Sequence, residues 1–89
     1  MHQKDMLKLW ANKELGEYIR GQARRHFTNE QDREDACSEA WERIAGCSTR
    51  ANMETIKNAG MNAIHAFYER ERRRRIRERI IQKVNITVQ

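Results

Sequence analysis

The segment that most restricts the fold is residues 69–79, ERERRRRIRER, which holds seven arginines and three glutamates in eleven positions. It directly follows residues 53–68, METIKNAGMNAIHAFY, in which apolar side chains recur at steps of three and four. That spacing predicts a helix with one apolar face, whereas residues 69–75 contain no apolar side chain and cannot be core. We therefore predict one long helix that is packed in its first half and presents guanidinium groups in its second half.

The composition favours helices, and the charge is concentrated in the last third of the chain. The 89 residues include no proline, and 38% of them are hydrophobic, which suits one small helical domain. Residues 1–56 carry nine Lys/Arg against ten Asp/Glu, whereas residues 57–89 carry nine against three. Such a basic excess in one part of a chain indicates an anionic partner, such as nucleic acid.

Apolar periodicity predicts an all-α domain of three helices, near residues 5–27, 32–46 and 52–83. We expect a single domain with a core at residues 7–68, a basic extension at 69–84 and an extended tail at 85–89. The apolar face of the first helix comprises Leu7, Trp10, Ala11, Leu15, Tyr18, Ile19, Ala23 and Phe27. Gly16 and Gly21 weaken that helix by about 1 kcal/mol each relative to alanine, and a kink or a close helix contact is expected at one of them.

The starts and contacts of the later helices can also be predicted. The second helix is expected to begin near Asp32. Thr28 with Gln31 would form a capping box for it, and Asp32 with Asp35 offers an alternative start. In the third helix, the small residues Ala59, Gly60 and Ala63 would allow another helix to approach closely.

The sequence contains no recognisable catalytic or metal-binding motif. There is no glycine-rich phosphate loop and no nucleophile beside a base, so we expect neither enzyme activity nor a cofactor. Cys37 and Cys47 lack histidines at metal-site spacing and are expected to be reduced thiols in the core. No apolar stretch approaches the roughly 20 residues that cross a bilayer, and no signal peptide is evident. We expect a cytoplasmic protein that associates with the nucleoid.

The arginine run favours binding to a polyanion, although a solvated helix is the alternative. Three like-charged pairs stand four residues apart: Arg70–Arg74, Arg73–Arg77 and Arg75–Arg79. Each pair destabilises a helix by about 0.2–0.5 kcal/mol, and pairing of Glu69 with Arg73 and of Glu71 with Arg75 would offset part of that cost. Phosphates would remove the repulsion and release counterions on binding.

The third helix therefore carries the predicted DNA contacts. They are its polar, aromatic and basic side chains: Asn62, His65, Tyr68, Arg70, Arg72, Arg73, Arg74, Arg75 and Arg77. Tyr68 stands one position off the apolar face, so we expect it to be half exposed and able to stack on a base.

Two segments resemble region 2 of the sigma-70 family of RNA polymerase factors, especially the extracytoplasmic-function type. Residues 32–41, DREDACSEAW, resemble the family's D-x-E-D-x-x-Q-E-x-F segment. The matching positions are Asp32, Glu34, Asp35 and Glu39, while Ser38 and Trp41 stand at the Gln and aromatic positions. Residues 59–65, AGMNAIH, are similar to A-R-N-x-A-I-D, with Met61 and His65 in place of Asn and Asp. The similarity covers residues 7–79.

The resemblance implies a three-helix, region-2-like module that stands alone without region 4. Its second helix would dock on the basic clamp helices of RNA polymerase, and its third would contact promoter DNA. The implied polymerase-binding residues are Asp35, Ser38, Glu39 and Glu42. The arginine run is expected to face the acidic second helix, so that the two form opposed surfaces. A partner could supply a region-4-like function.

Two alternatives remain open from the sequence. The first is a nucleic-acid-binding protein that acts independently of polymerase through its arginine-rich helix. The second is a protein-interaction module in which Ile76, Ile80 and Val84 form a dimer seam and the arginines are solvated.

Overall fold

The computed structural model describes residues 1–88, with side chains described for residues 1–84. The chain forms four helices, which are α1 (Gln3–Ala11), α2 (Lys13–His26), α3 (Glu30–Ala45) and α4 (Met53–Val88). No strand occurs within residues 1–88. The prediction of an all-α fold is confirmed. The prediction of three helices is wrong, because the first predicted helix is divided into α1 and α2.

The division falls at Asn12, which has an extended backbone. Its side-chain oxygen accepts a hydrogen bond from the Leu15 backbone N–H at 3.0 Å and thereby caps the start of α2. Neither glycine kinks the helix, since α2 continues through both Gly16 and Gly21. A Cβ atom added at Gly16 would first meet Arg20 of the same helix, and one added at Gly21 would meet nothing within 4 Å, so the expected close helix contact is not found there either. Because α1 is separated from α2, Leu7 and Trp10 of α1 are 62% and 67% exposed. The prediction that these two side chains belong to the core is therefore wrong.

The start of α3 is set by Asn29, and the helix begins two positions before the predicted start at Asp32. The Asn29 side-chain oxygen accepts hydrogen bonds from the backbone N–H groups of Gln31 and Asp32, at 2.8 and 3.3 Å. Asparagine at this position satisfies donors that would otherwise have no partner in the first turn. The capping box expected from Thr28 and Gln31 is therefore replaced by a cap at a residue between them.

The core lies where α2, α3 and α4 meet. Its largest fully buried side chains are Leu15, Ile19, Ile44 and Ile64. A Cβ atom added at Gly60 would lie 3.3 Å from Cδ1 of Ile44 and 3.8 Å from Cβ of Ala40, so α3 and α4 approach closely there. The prediction of a close helix contact at the small residues of α4 is confirmed.

The second half of α4 contributes no core residue as far as residue 84, where the described side chains end. Residues 72–84 are all exposed, whereas the first half of α4 contributes Ile56, Ala63 and Ile64 to the core. At about 1.5 Å per residue, 36 helical residues extend about 54 Å, close to the longest dimension of 57 Å. The tail was expected to be extended, but its backbone is helical as far as Val88, and Gln89 lies outside the described residues. None of the described helices is long and apolar enough to cross a membrane.

Candidate nucleic-acid interface

Three of the predicted DNA-binding arginines are held by carboxylates of the same chain. Arg70 lies 3.2 Å from Glu39 of α3, and Arg75 lies 2.9 Å from Asp32 of α3. Both pairs bridge helices that are distant in the sequence, because α3 packs beside α4. At these positions the arginine run faces the acidic helix, as expected, but the carboxylates of α3 and the arginines of α4 neutralise each other.

The third arginine, Arg74, is held within α4. It lies 2.7 Å from Glu71 and 3.5 Å from Glu78. The hydrogen bond with Glu71, followed by the charges of Glu71 and Glu78, raises the pKa of the Arg74 guanidinium above its ordinary value. The predicted partners were Glu69 with Arg73 and Glu71 with Arg75, and neither pair forms. Arg74 sits between both of its glutamates, while Arg75 reaches across to α3.

Four arginines of the run remain unpaired. Among the side chains of residues 1–84, those of Arg72, Arg73, Arg77 and Arg79 form no salt bridge and are exposed. Arg79 was not among the predicted DNA contacts, although it belongs to the same run. An unpaired guanidinium can bind a phosphate through two parallel hydrogen bonds without first breaking an internal pair.

The unpaired arginines lie on two sides of α4. Successive helical residues are rotated by about 100°, so Arg72 and Arg79 share one side and Arg73 and Arg77 share another. His65 and Tyr68 lie on the side of Arg72. Asn62 is exposed but lies about 120° around the helix from Tyr68. The predicted DNA contacts therefore do not form one continuous face.

The side of Arg72 borders a cleft between α4 and the turn that joins α2 to α3. The cleft has a volume of about 360 Å³, and its lining includes His26, Tyr68, Arg72, Arg75 and Arg79. The His26 ring stands 5.1 Å from the Tyr68 ring. Tyr68 is half-buried, as predicted. The cleft thus combines aromatic rings with guanidinium groups, the chemistry that binds the bases and phosphates of a nucleic acid.

His26 is a member of this cleft that the sequence did not single out. The pKa of the imidazole lies below its ordinary value, mainly because the ring is partly buried and to a smaller extent because of the nearby charges of His65 and Arg25. The His65 ring lies 4.8 Å away in an edge-to-face arrangement. His26 therefore favours its neutral form, so the positive charge of the cleft comes from the arginines.

The predicted polymerase-binding residues divide into an exposed group and a paired residue. Asp35, Ser38 and Glu42 are exposed on α3, and Asp35 accepts a hydrogen bond from the Gln31 side chain at 3.1 Å. Glu39 is half-buried in its pair with Arg70. The acidic surface available to a partner is thus narrower than the sequence predicted.

Ser38 and Glu42 also border a groove between α1 and α3. Met6, Leu7, Trp10 and Trp41 supply its apolar wall, and its volume is about 470 Å³. The Trp10 and Trp41 rings stand 6.0 Å apart in an edge-to-face arrangement. Apolar periodicity predicts Trp10 to be a core residue, so the exposure of this aromatic beside the acidic residues is not evident from the sequence.

The two cysteines are free thiols. Cys37 is half-buried and packs against the core, and burial raises the pKa of its thiol. Cys47 is also half-buried, with its Sγ 3.6 Å from the carbonyl oxygen of Arg43. Within the described residues, no three His, Cys, Asp or Glu side chains cluster in a way that could hold a metal ion.

No protein-family model, curated protein or solved structure matches this chain.

Proposed function

We propose that the protein binds nucleic acid through α4 and acts in transcription initiation, with a role similar to that of sigma region 2. The observation that carries the proposal is a group of four exposed arginines on one helix that form no salt bridge with the side chains of residues 1–84: Arg72, Arg73, Arg77 and Arg79. In this role the protein works in the cytoplasm at the nucleoid, without catalysis or a cofactor.

The electrostatics of α4 support a phosphate ligand. Arg73 and Arg77 are like charges four residues apart, and neither has a carboxylate of the described residues within salt-bridge distance. Such a pair weakens the helix when it is only solvated. A phosphate between the two guanidinium groups turns the repulsion into attraction and releases condensed counterions.

Docking on RNA polymerase is the second part of the proposal. It is supported by the similarity of residues 32–41 to the acidic sigma segment and by the exposure of Asp35, Ser38 and Glu42. Because Glu39 is engaged by Arg70, we assign the main attraction for the basic clamp helices to Asp35 and Glu42. The proposal keeps promoter DNA as the ligand of α4.

Nucleic-acid binding is tested by measuring the affinity for duplex DNA, single-stranded DNA and RNA at several salt concentrations. Two double variants remove the same charge from α4: Arg73→Ala/Arg77→Ala removes unpaired arginines, and Arg70→Ala/Arg74→Ala removes paired ones. The first variant should lose more affinity, and its salt slope on duplex DNA should fall by about 0.9 for each phosphate that it no longer binds. An affinity that does not change with salt would rule out the arginine interface.

Polymerase docking is tested with a purified clamp-helix fragment. Asp35→Ala and Glu42→Ala should each weaken binding, while Glu17→Ala, an exposed carboxylate of α2, should leave it unchanged. Absence of binding by the wild-type protein at tens of micromolar would remove the sigma-like part of the proposal. If DNA binding persisted in that case, the protein would be a nucleic-acid-binding protein independent of polymerase, which the same unpaired arginines support.

A further inference from the structure

The distal part of α4 exposes four large aliphatic side chains. Ile76, Ile80, Ile81 and Val84 are 46%, 57%, 58% and 54% exposed, and none belongs to the hydrophobic core. The other exposed large hydrophobic side chains among the described residues are Leu7 and Trp10, which border the groove between α1 and α3, and Met53 at the start of α4. Apolar side chains grouped on one surface mark a site of association more often than single exposed ones do.

These four side chains form a defined strip, here called the isoleucine strip. With about 100° between successive residues, Ile76, Ile80 and Val84 follow one another along a row, and Ile81 stands beside it. The strip covers about 140° of the helix circumference and about 12 Å of its length. Those dimensions match the apolar face of a short amphipathic helix, which would bury the strip by packing against it.

The charges around the strip indicate what kind of helix would cover it. Residues 72–84 carry seven Arg/Lys and a single carboxylate, Glu78. Glu78 is paired with Arg74 at 3.5 Å, on the side of α4 away from the Ile76–Ile80–Val84 row. Arg77 lies within the strip, between that row and Ile81. Any partner must therefore place its flanking side chains next to positive charge.

A second copy of the chain fits this requirement poorly. In a parallel pair Arg77 would face Arg77, and in an antiparallel pair centred on Ile80 it would approach Lys83. Glu78, the carboxylate of residues 72–84, lies about 160° around the helix from Ile80, so both arrangements would place positive charge opposite positive charge along the row. A helix with Asp or Glu beside its apolar row would place opposite charges at the same positions, and such complementarity favours specific pairing.

We propose that the isoleucine strip binds an acidic amphipathic helix of another protein. This interaction goes beyond nucleic-acid binding and does not depend on it. Arg73 and Arg77 flank or lie within the strip and also belong to the unpaired arginines of α4. The acidic helix and nucleic acid therefore compete for the same part of α4.

The experiment uses the full chain and two synthetic helical peptides with the same leucine row. One peptide carries glutamates beside that row, and the other carries lysines. The glutamate peptide binds the wild-type protein and the lysine peptide does not. Ile80→Ser/Val84→Ser weakens binding of the glutamate peptide at least about tenfold, because it removes two aliphatic side chains from the interface. Leu7→Ser, which replaces an exposed leucine of α1, is the matched control and leaves binding unchanged.

Three results would overturn the proposal. The first is equal binding of both peptides, or binding that the Ile80→Ser/Val84→Ser variant retains. The second is a concentration-dependent dimer in sedimentation that this variant abolishes, which would make a second copy the occupant. The third is stronger binding to anionic phospholipid vesicles than to the glutamate peptide, which would make the strip a membrane-surface site.

Competition is measured separately, by displacement of duplex DNA with the glutamate peptide. Peptide binding without any DNA binding would refute the proposed function and leave the strip proposal intact. DNA binding without peptide binding would refute the strip proposal and leave the proposed function intact.

Discussion

The pair between Glu39 and Arg70 leads to the most informative prediction, because removing a charge from α3 should strengthen DNA binding by α4. Glu39→Gln keeps the size of the side chain and releases the Arg70 guanidinium, which lies 3.2 Å from the carboxylate. Both groups are partly exposed, and pairs of this kind contribute about 0.2–1 kcal/mol to stability. The variant should therefore fold, and Arg70 becomes available to a phosphate.

The size of the gain follows from counterion release. One additional phosphate contact steepens the dependence of log affinity on log salt by about 0.9 for duplex DNA. Between about 1 M and about 0.15 M salt, that slope corresponds to roughly a fivefold gain in affinity. Fluorescence anisotropy of a labelled duplex, titrated at several salt concentrations, measures both the affinity and the slope.

The matched control is Glu42→Gln. It makes the same change in net charge on the same helix, but Glu42 is exposed and forms no salt bridge among the described residues. Both variants should bind DNA more tightly because each removes a negative charge. The affinity of Glu39→Gln should exceed that of the control by the contribution of the released arginine. Equal affinities and equal slopes for the two variants would refute the reasoning, since net charge alone would then explain the gain.

Four further predictions concern the stability of the folded protein. Ile64→Ala should lower the free energy of unfolding by about 2–5 kcal/mol in urea titrations, because Ile64 is fully buried and its removal leaves a cavity. Asn29→Ala should lower it by about 0.5–2 kcal/mol in the same assay, because it removes the α3 cap. Gly60→Leu should lower the free energy of unfolding by about 1–3 kcal/mol, because even a Cβ atom at that position would lie 3.3 Å from Ile44. Thermal unfolding would detect the change. The pKa of His26 is lowered in the folded protein, so the unfolded chain binds the proton more readily. The free energy of unfolding should therefore decrease as the pH falls below about 6.5. Urea titrations over that pH range should show a smaller decrease for a His26→Gln variant.

The helical fold and much of the core could be predicted from apolar periodicity. The predicted apolar face of the first helix includes four residues at steps of four, Leu15, Ile19, Ala23 and Phe27, and all four are buried. The break at Asn12 could not be found in the same way, because the apolar spacing continues across it without interruption. Asparagine is a good cap and also a tolerated helix residue, so only the packing of α1 decides between the two.

The candidate site was less accessible to sequence reasoning because its pairing depends on tertiary structure. Arg75 and Asp32 are 43 positions apart, and only the packing of α3 beside α4 brings them to 2.9 Å. Local spacing rules predicted a bond from Arg75 to Glu71 instead. The sequence identified the basic helix, but it could not separate the arginines that are paired from those that are available to a ligand.

The positions of the carboxylates on α3 determine that separation. Asp32 and Glu39, seven residues apart, lie on the side of α3 that faces α4, and each holds one arginine. Asp35 and Glu42, also seven apart, lie on an exposed side and hold none of the described arginines. Because a seven-residue step nearly closes two turns, each pair forms a row along the helix. One row of α3 therefore neutralises arginines of α4, while the other row stays exposed. If the proposed function is correct, a substitution in the first row should alter mainly DNA binding, and one in the second row should alter mainly the binding of a basic partner.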